Sequence, residues 1–247
     1  MNVIGHPYVA TKVVGRLTED LIIGSFIPDI VPFVPNTVFQ FEEIHEGGEH
    51  FLKFLDDTCP QKRDLALGML CHGAKFGADQ FSRYIENRFA RERDILAKRI
   101  ADASKVSLET ARQSRFRNLL WWGMDVQLIW NEPIFVKDLA RKLAKVDTLG
   151  TANLLAECFG KDPQKVLRDI KFLESSIKPQ NLYSARGLAT IWKGISAGLP
   201  ENDQIDVGET EKIFEDCAQL LEKDWKQLVE QIIAKVGKNL KTAGFIP

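Results

Sequence analysis

The sequence predicts an all-α protein, a multi-helix bundle, and three observations predict it. Apolar residues recur at helical spacing in nearly every segment. No stretch alternates apolar and polar residues long enough to make a strand. Gly160, Pro163, Pro179 and the loop at 198–203 mark boundaries between successive helical segments. A chain of 247 residues with 45% hydrophobic and 27% charged content buries a sizeable core without cross-links.

Taken in order, His6-Pro7 opens a first helix carrying Val9, Val13, Val14 and Leu17 on one face. Thr18 followed by Glu19-Asp20 reads as an N-cap with a carboxylate-rich first turn, leading into Leu21-Ile22-Ile23-Gly24. Residues 25–36 contain Pro28, Pro32 and Pro35, which remove donors and disfavour helix in their predecessors. An apolar, non-helical loop tucked against the body is expected there, with Asp29 in need of a partner for its charge. Glu42 to Asp57 returns to helix, broken at Gly47-Gly48. From Cys59-Pro60 a long amphipathic helix is expected through Leu65, Met69, His72 and Phe76, past Arg88. Ser107-Leu108-Glu109 opens another, which Pro133 stops. Further helices are expected at about 134–146, 149–160, 163–177, 181–197 and 208–240, with a loop at 198–203. Residues 1–131 read as a metal-binding helical core, and residues 132–247 as a C-terminal helical region packed on it in one domain.

All four histidines, His6, His45, His50 and His72, lie in the first 72 positions, among Asp29, Glu46, Glu49 and Asp79. Neutral imidazole and carboxylate are the donors that zinc and similar ions take, at about 2.0–2.2 Å. His6, Asp29, His45, His50, His72 and Asp79 are therefore the candidate metal ligands. His45 and Glu49 are four apart, as are Glu46 and His50, so each pair projects together from a helix. His72 and Asp79 are seven apart, about 10.5 Å along a straight helix, too far for one ion unless Gly73 and Gly77 bend it. His45-Glu46-Gly47-Gly48-Glu49-His50 has neither the HExxH nor the HxxEH spacing, which excludes a zinc peptidase of those classes. The four cysteines form no CxxC pair, there is no GxxxxGK[ST] and no GxSxG, and these absences exclude a structural zinc module, a P-loop and a serine esterase elbow. A net charge of −1 gives no general attraction to nucleic acid. No apolar run reaches the roughly 18 residues of a transmembrane helix, and the N-terminus lacks the pattern of a signal peptide, so a cytoplasmic location is expected.

Gly5-His6-x-x-x-Ala10, Gly24-Ser25-Phe26-Ile27-Pro28-Asp29, the His/Glu cluster ending His50-Phe51, and Leu67-Gly68-Met69-Leu70-Cys71-His72 occur in an order that resembles zinc-dependent phospholipase C and the related S1/P1 nucleases. The likeness covers about residues 1–130. It implies an all-α metallophosphoesterase in which His6, Asp29, His50 or His45, and His72 are ligands. The chain departs from that pattern at Phe76, where the family has an aspartate, and at Arg117 and Trp121, where it has a histidine and a glutamate. One or two divalent ions, with zinc expected, replace the family's three. The implied reaction is attack of metal-activated water on a phosphodiester or phospholipid-like substrate. Asp29 orients the water or takes its proton, Glu49 is a second candidate base, and Arg115 or Arg117 neutralises the phosphate. Two alternatives stand beside it: a non-catalytic helical scaffold with a degenerate metal site, and a hydrolase resembling acyl-carrier-protein phosphodiesterases.

Overall fold

A computed structural model describes residues 3–81, 84, 87–197, 199 and 204–247, and every described element is helical. The first half contains α1 (Gly5–Val14), α2 (Glu19–Phe26), α3 (Ile30–Phe33), α4 (Phe41–Ile44), α5 (Gly48–Thr58) and α6 (Arg63–His72). Then come α7 (Arg93–Ser104), α8 (Leu108–Thr110), a π-helical stretch Ala111–Arg115, and α9 (Phe116–Asn131). The chain finishes with α10 (Pro133–Leu143), α11 (Thr148–Phe159), α12 (Pro163–Ser176), α13 (Ala185–Ser196), α14 (Val207–Leu221) and α15 (Trp225–Thr242). One continuous hydrophobic core runs through both halves. Within it α14 lies on α9, and α15 lies on α1.

The helix boundaries come from capping chemistry. Thr18 accepts from Leu21 N–H at 3.1 Å, and Ser107 accepts from Thr110 N–H at 3.0 Å, each satisfying a donor that the first turn leaves open. Asp147, Asp162, Ser184 and Asp206 do the same for α11, α12, α13 and α14. Pro133 both ends α9 and opens α10.

Three expectations are corrected. Residues 27–33 are helical, not extended: a 3₁₀ turn at Ile27–Asp29 leads into α3. Pro28 and Pro32 sit in first turns, where a missing N–H costs nothing. The expected helix from residue 59 past 88 ends at His72. Gly73, with φ −53° and ψ 164°, leaves the helical region, and a 3₁₀ turn at Ala78–Phe81 lies beyond it. Of that expected helix, residues 82, 83, 85 and 86 lie outside the described residues, as does the expected loop at 198–203 apart from Leu199. The segment 208–240 is two helices, parted at the charged Glu222-Lys223-Asp224, where Arg88 pairs with Asp224 at 2.6 Å.

Two helix contacts hold the first half in place. Backbone N–H groups of Ile4 and Gly5, at the start of α1, donate to the carboxylate of Asp125 on α9 at 3.0 and 2.9 Å. Asp125 is fully buried, and its negative charge sits at the positive end of the α1 dipole. Asp125→Ala is expected to leave both donors unpaired and to destabilise the fold by about 2–4 kcal/mol, read as a lowered denaturant midpoint. The second contact is α2 against α6, where glycine meets backbone: a Cβ on Gly68 would lie 2.6 Å from the Leu21 carbonyl oxygen. That close approach sets His72, at the end of α6, beside the last turn of α2.

Candidate metal centre

Five ligand-type side chains from five separate segments meet under one cleft. His6 stands in the first turn of α1, Asp29 ends the 3₁₀ turn after α2, and His45 caps α4. His72 is the last residue of α6, and Asp79 belongs to the 3₁₀ turn beyond it. Asp79 is the hub. Its Oδ1 lies 3.5 Å from His6 Nε2, and its Oδ2 lies 3.5 Å from His72 Nε2 and 3.1 Å from His45 Nε2. Asp29 Oδ1 is 3.7 Å from His72 Nε2. The imidazoles of His6 and His72 stack with centroids 3.6 Å apart.

The hydrogen bonds fix what each ring offers. His72 Nδ1 is 2.7 Å from the Ser25 carbonyl oxygen, which only accepts, so Nδ1 carries the proton. In the neutral ring Nε2 then turns a lone pair toward the carboxylates of Asp29 and Asp79, and it has no hydrogen-bond partner. Lone pair facing carboxylate is repulsive until a positive charge stands between them. His6 Nδ1 is likewise buried without a partner. His6, His72 and Asp79 each place a donor atom within 4.8 Å of the other two. Donors at about 2.1 Å from one tetrahedral ion lie about 3.4 Å apart, and the 3.5 Å separations of Asp79 from His6 and from His72 suit a single small cation. The residues present therefore fit a divalent ion of the zinc type.

His45 differs from the other two rings. Its Nδ1 bonds Glu46 Oε1 at 2.9 Å and its Nε2 bonds Asp79 Oδ2, so both nitrogens donate to carboxylates. Burial lowers its proton affinity, yet Asp79 and Glu46 outweigh burial and push its pKa up to about 9. Burial, then the neighbouring His72, hold His6 well below the ordinary histidine range. For Asp79, burial raises and the three imidazoles lower, with the imidazoles prevailing. Burial raises Asp29.

These directions give a pH prediction for the metal-free protein. His45 is raised in the folded state, so its stabilisation is whole below pH about 6.5 and fades as pH climbs to about 9. The loss is on the order of 3 kcal/mol. His6 is lowered, so its contribution is lost as pH falls below about 6.5. Thermal melts in chelator are expected to show greatest stability near pH 6.5, and His45→Gln is expected to flatten the alkaline limb.

Three of the residues expected at the site stand elsewhere. His50 is exposed, its Nε2 3.4 Å from the Cys158 carbonyl and its ring beside Phe159. The helix breaks at Glu46-Gly47, so His45 ends α4 while Glu49 and His50 ride on α5. The i, i+4 pairing of His45 with Glu49 and of Glu46 with His50 is lost with that break. Glu49 forms an ion pair with Lys75 and does not line the cleft. Arg115 is buried in the π-helical stretch and does not line the cleft either.

The cleft above the cluster encloses about 340 Å³, within the size range of small-molecule sites. Arg117 lines it together with His45 and Asp79, and Asn118 and Trp121 stand beside it. Among the described residues none forms a hydrogen bond or ion pair with the Arg117 guanidinium. Trp121 and Trp122 divide as adjacent helical residues must: Trp121 lines the cleft, and Trp122 stacks on Phe214 at 5.3 Å in the core. Glu46 joins the site through His45 and not through His50, and Asn118 joins it without a sequence signal of its own. The sequence shows Glu46 as one carboxylate of the histidine cluster, four residues from His50, and Asn118 only as a neighbour of Arg117.

The fold and the cluster define a class: an all-α protein with a candidate cation centre at the base of a cleft. Among the described residues no helix is long and apolar enough to cross a membrane. Comparison with protein-family models, with curated proteins and with solved structures gives no match.

Proposed function

We propose that this protein is a divalent-cation-dependent phosphoric ester hydrolase. The observation that supports the reading is the cluster of His6, His72 and Asp79 at the base of a cleft that Arg117 also lines. His6, His72 and Asp79 hold the cation, with zinc the ion their donor set suits, and Asp29 and His45 complete its surroundings. A bound divalent ion lowers the pKa of a water toward 7 and polarises a phosphoryl oxygen. Arg117 binds two phosphoryl oxygens with its planar fork and offsets charge that develops on them. Asp29, its proton affinity raised by burial, takes the proton from the water that attacks phosphorus; the ester P–O bond breaks, and the departing alkoxide takes a proton from solvent. The apolar wall of Phe33, Phe41, Trp121 and Leu199 receives the ester group, and a phosphodiester, including a phospholipid-like one, suits it. A cytoplasmic location belongs to the same reading.

Elemental analysis of protein purified without a nickel column tests the centre, and turnover of bis-p-nitrophenyl phosphate tests the reaction. Arg117→Gln is expected to retain the cation and to lose about 10²–10³-fold in kcat/KM. Turnover unchanged in that variant would remove arginine from the proposed role. One observation favours a second reading. His45, bonded on both sides to carboxylates, supplies positive charge to the cluster on its own. A purified protein that holds no zinc, manganese or iron and takes none up would leave a helical protein whose cluster is held by protons.

A further inference from the structure

Glu46 touches no candidate ligand except His45, yet it ties the centre together. Its side chain is 30% exposed, and its two oxygens make three bonds that join separate parts of the site. Oε1 accepts from His45 Nδ1 at 2.9 Å and from the Ala74 backbone N–H at 3.2 Å. Oε2 accepts from the Lys75 backbone N–H at 3.2 Å. Ala74 and Lys75 form the turn between His72 and Asp79, the two residues that a straight helix would hold about 10.5 Å apart. Gly73 sits in the same junction, where a Cβ would lie 2.7 Å from the His45 carbonyl oxygen and 3.8 Å from Glu46 Oε2. Beyond it, a Cβ on Gly77 would lie 2.4 Å from the Cys71 carbonyl oxygen, so the turn folds back tightly on α6.

From this geometry we infer that Glu46 is a positioning residue of the centre: it holds His45 and the 74–75 turn in the register that carries Asp79 to the histidines. The three bonds act in two ways. By accepting from Nδ1, Glu46 fixes the orientation of the His45 ring and turns its Nε2–H toward Asp79, much as an outer carboxylate orients a side chain at a metal centre. By accepting two backbone donors, it replaces the helical partners that Ala74 and Lys75 lose when α6 stops at His72. One carboxylate thus couples the orientation of His45, which bonds Asp79, to the backbone path that carries Asp79 to the histidines. The role rests on the hydrolase reading for its purpose, but not for its geometry.

The test uses Glu46→Gln, with Glu46→Ala as a second variant and the exposed Glu42→Gln as control. Glutamine keeps one acceptor oxygen and puts a donor where the other stood, so it cannot serve all three partners. In chelator-treated protein, amide hydrogen exchange at Ala74 and Lys75 is expected to speed up about five- to tenfold in both Glu46 variants. Titration with cobalt(II), monitored by its visible absorption, is expected to show unchanged stoichiometry, an altered spectrum and an affinity lowered about 10–100-fold. Glu42→Gln is expected to match the parent in both measurements. Parent-like exchange at Ala74 and Lys75 in Glu46→Gln overturns the inference, and so does an unaltered cobalt affinity and spectrum. A parent protein that takes up no cobalt overturns the hydrolase reading instead, and the exchange rates then decide the role of Glu46 alone.

Discussion

Asp79→Asn is expected to abolish cation uptake while leaving the helical fold in place. Among the described residues, Asp79 is the one side chain within 3.5 Å of all three clustered imidazoles, so it bears on every histidine of the site at once. Asparagine matches its shape but carries no charge and presents an amide donor on one side. An outer hydrogen-bond partner of a metal ligand is worth about 10–100-fold in affinity, and the central charged ligand is worth more, on the order of 10³-fold or greater. The same substitution has a readout in metal-free protein. Asp79 helps raise His45 to about 9, so that value falls toward the ordinary histidine range when the charge is removed. Metal analysis and the titration of the His45 ring by NMR check the two arms separately. Cation uptake at the parent stoichiometry in Asp79→Asn would show that the ion sits somewhere else.

How much of this is legible in the sequence depends on the range of the interaction concerned. Thr18 and Ser107 cap helices three residues away, and Pro133 ends one helix and begins the next, so local chemistry announces each. The all-α class emerges from many such local signals in agreement. The residue types of the centre are also legible, because His6, Asp29, His45, His72 and Asp79 are the donors a hard or borderline cation requires. Their arrangement is not. Leu65, Met69, His72 and Phe76 keep helical spacing straight through the point where α6 stops, so periodicity runs past Gly73 and places Asp79 too far away. What ends the helix is tertiary: Glu46, 28 and 29 residues before Ala74 and Lys75 in sequence, takes their N–H groups. His50 illustrates the opposite error. It carries the right chemistry, but the break at Gly47 rotates it onto the far side of α5, against Cys158 and Phe159.

Gly68→Ala is expected to cost both stability and the cation, although residue 68 offers no donor. A methyl group there would stand 2.6 Å from the Leu21 carbonyl oxygen, 2.7 Å from the Ser25 nitrogen and 2.8 Å from the Gly24 carbonyl carbon. All three atoms are backbone, so no side chain can swing aside and α2 must move away from α6. On the facing helix Gly24 is in the same position, with a Cβ placed 2.1 Å from the Leu65 carbonyl oxygen. Overpacking of this kind costs about 1–3 kcal/mol where neighbours can yield, and the rigid contact here puts the loss at the upper end, about 3 kcal/mol or more. Helix propensity pulls the other way by only about 1 kcal/mol in favour of alanine, so the clash decides the sign. The site feels the displacement because Ser25 is the residue whose carbonyl holds His72 Nδ1 at 2.7 Å. Parting the helices by even about half an ångström loosens that bond, frees the His72 ring to turn, and takes Nε2 away from Asp79. Denaturant unfolding and metal analysis of the same variant read the two effects together. A variant as stable as the parent would mean that the helices are not in backbone contact, and the placement of His72 would then need another cause.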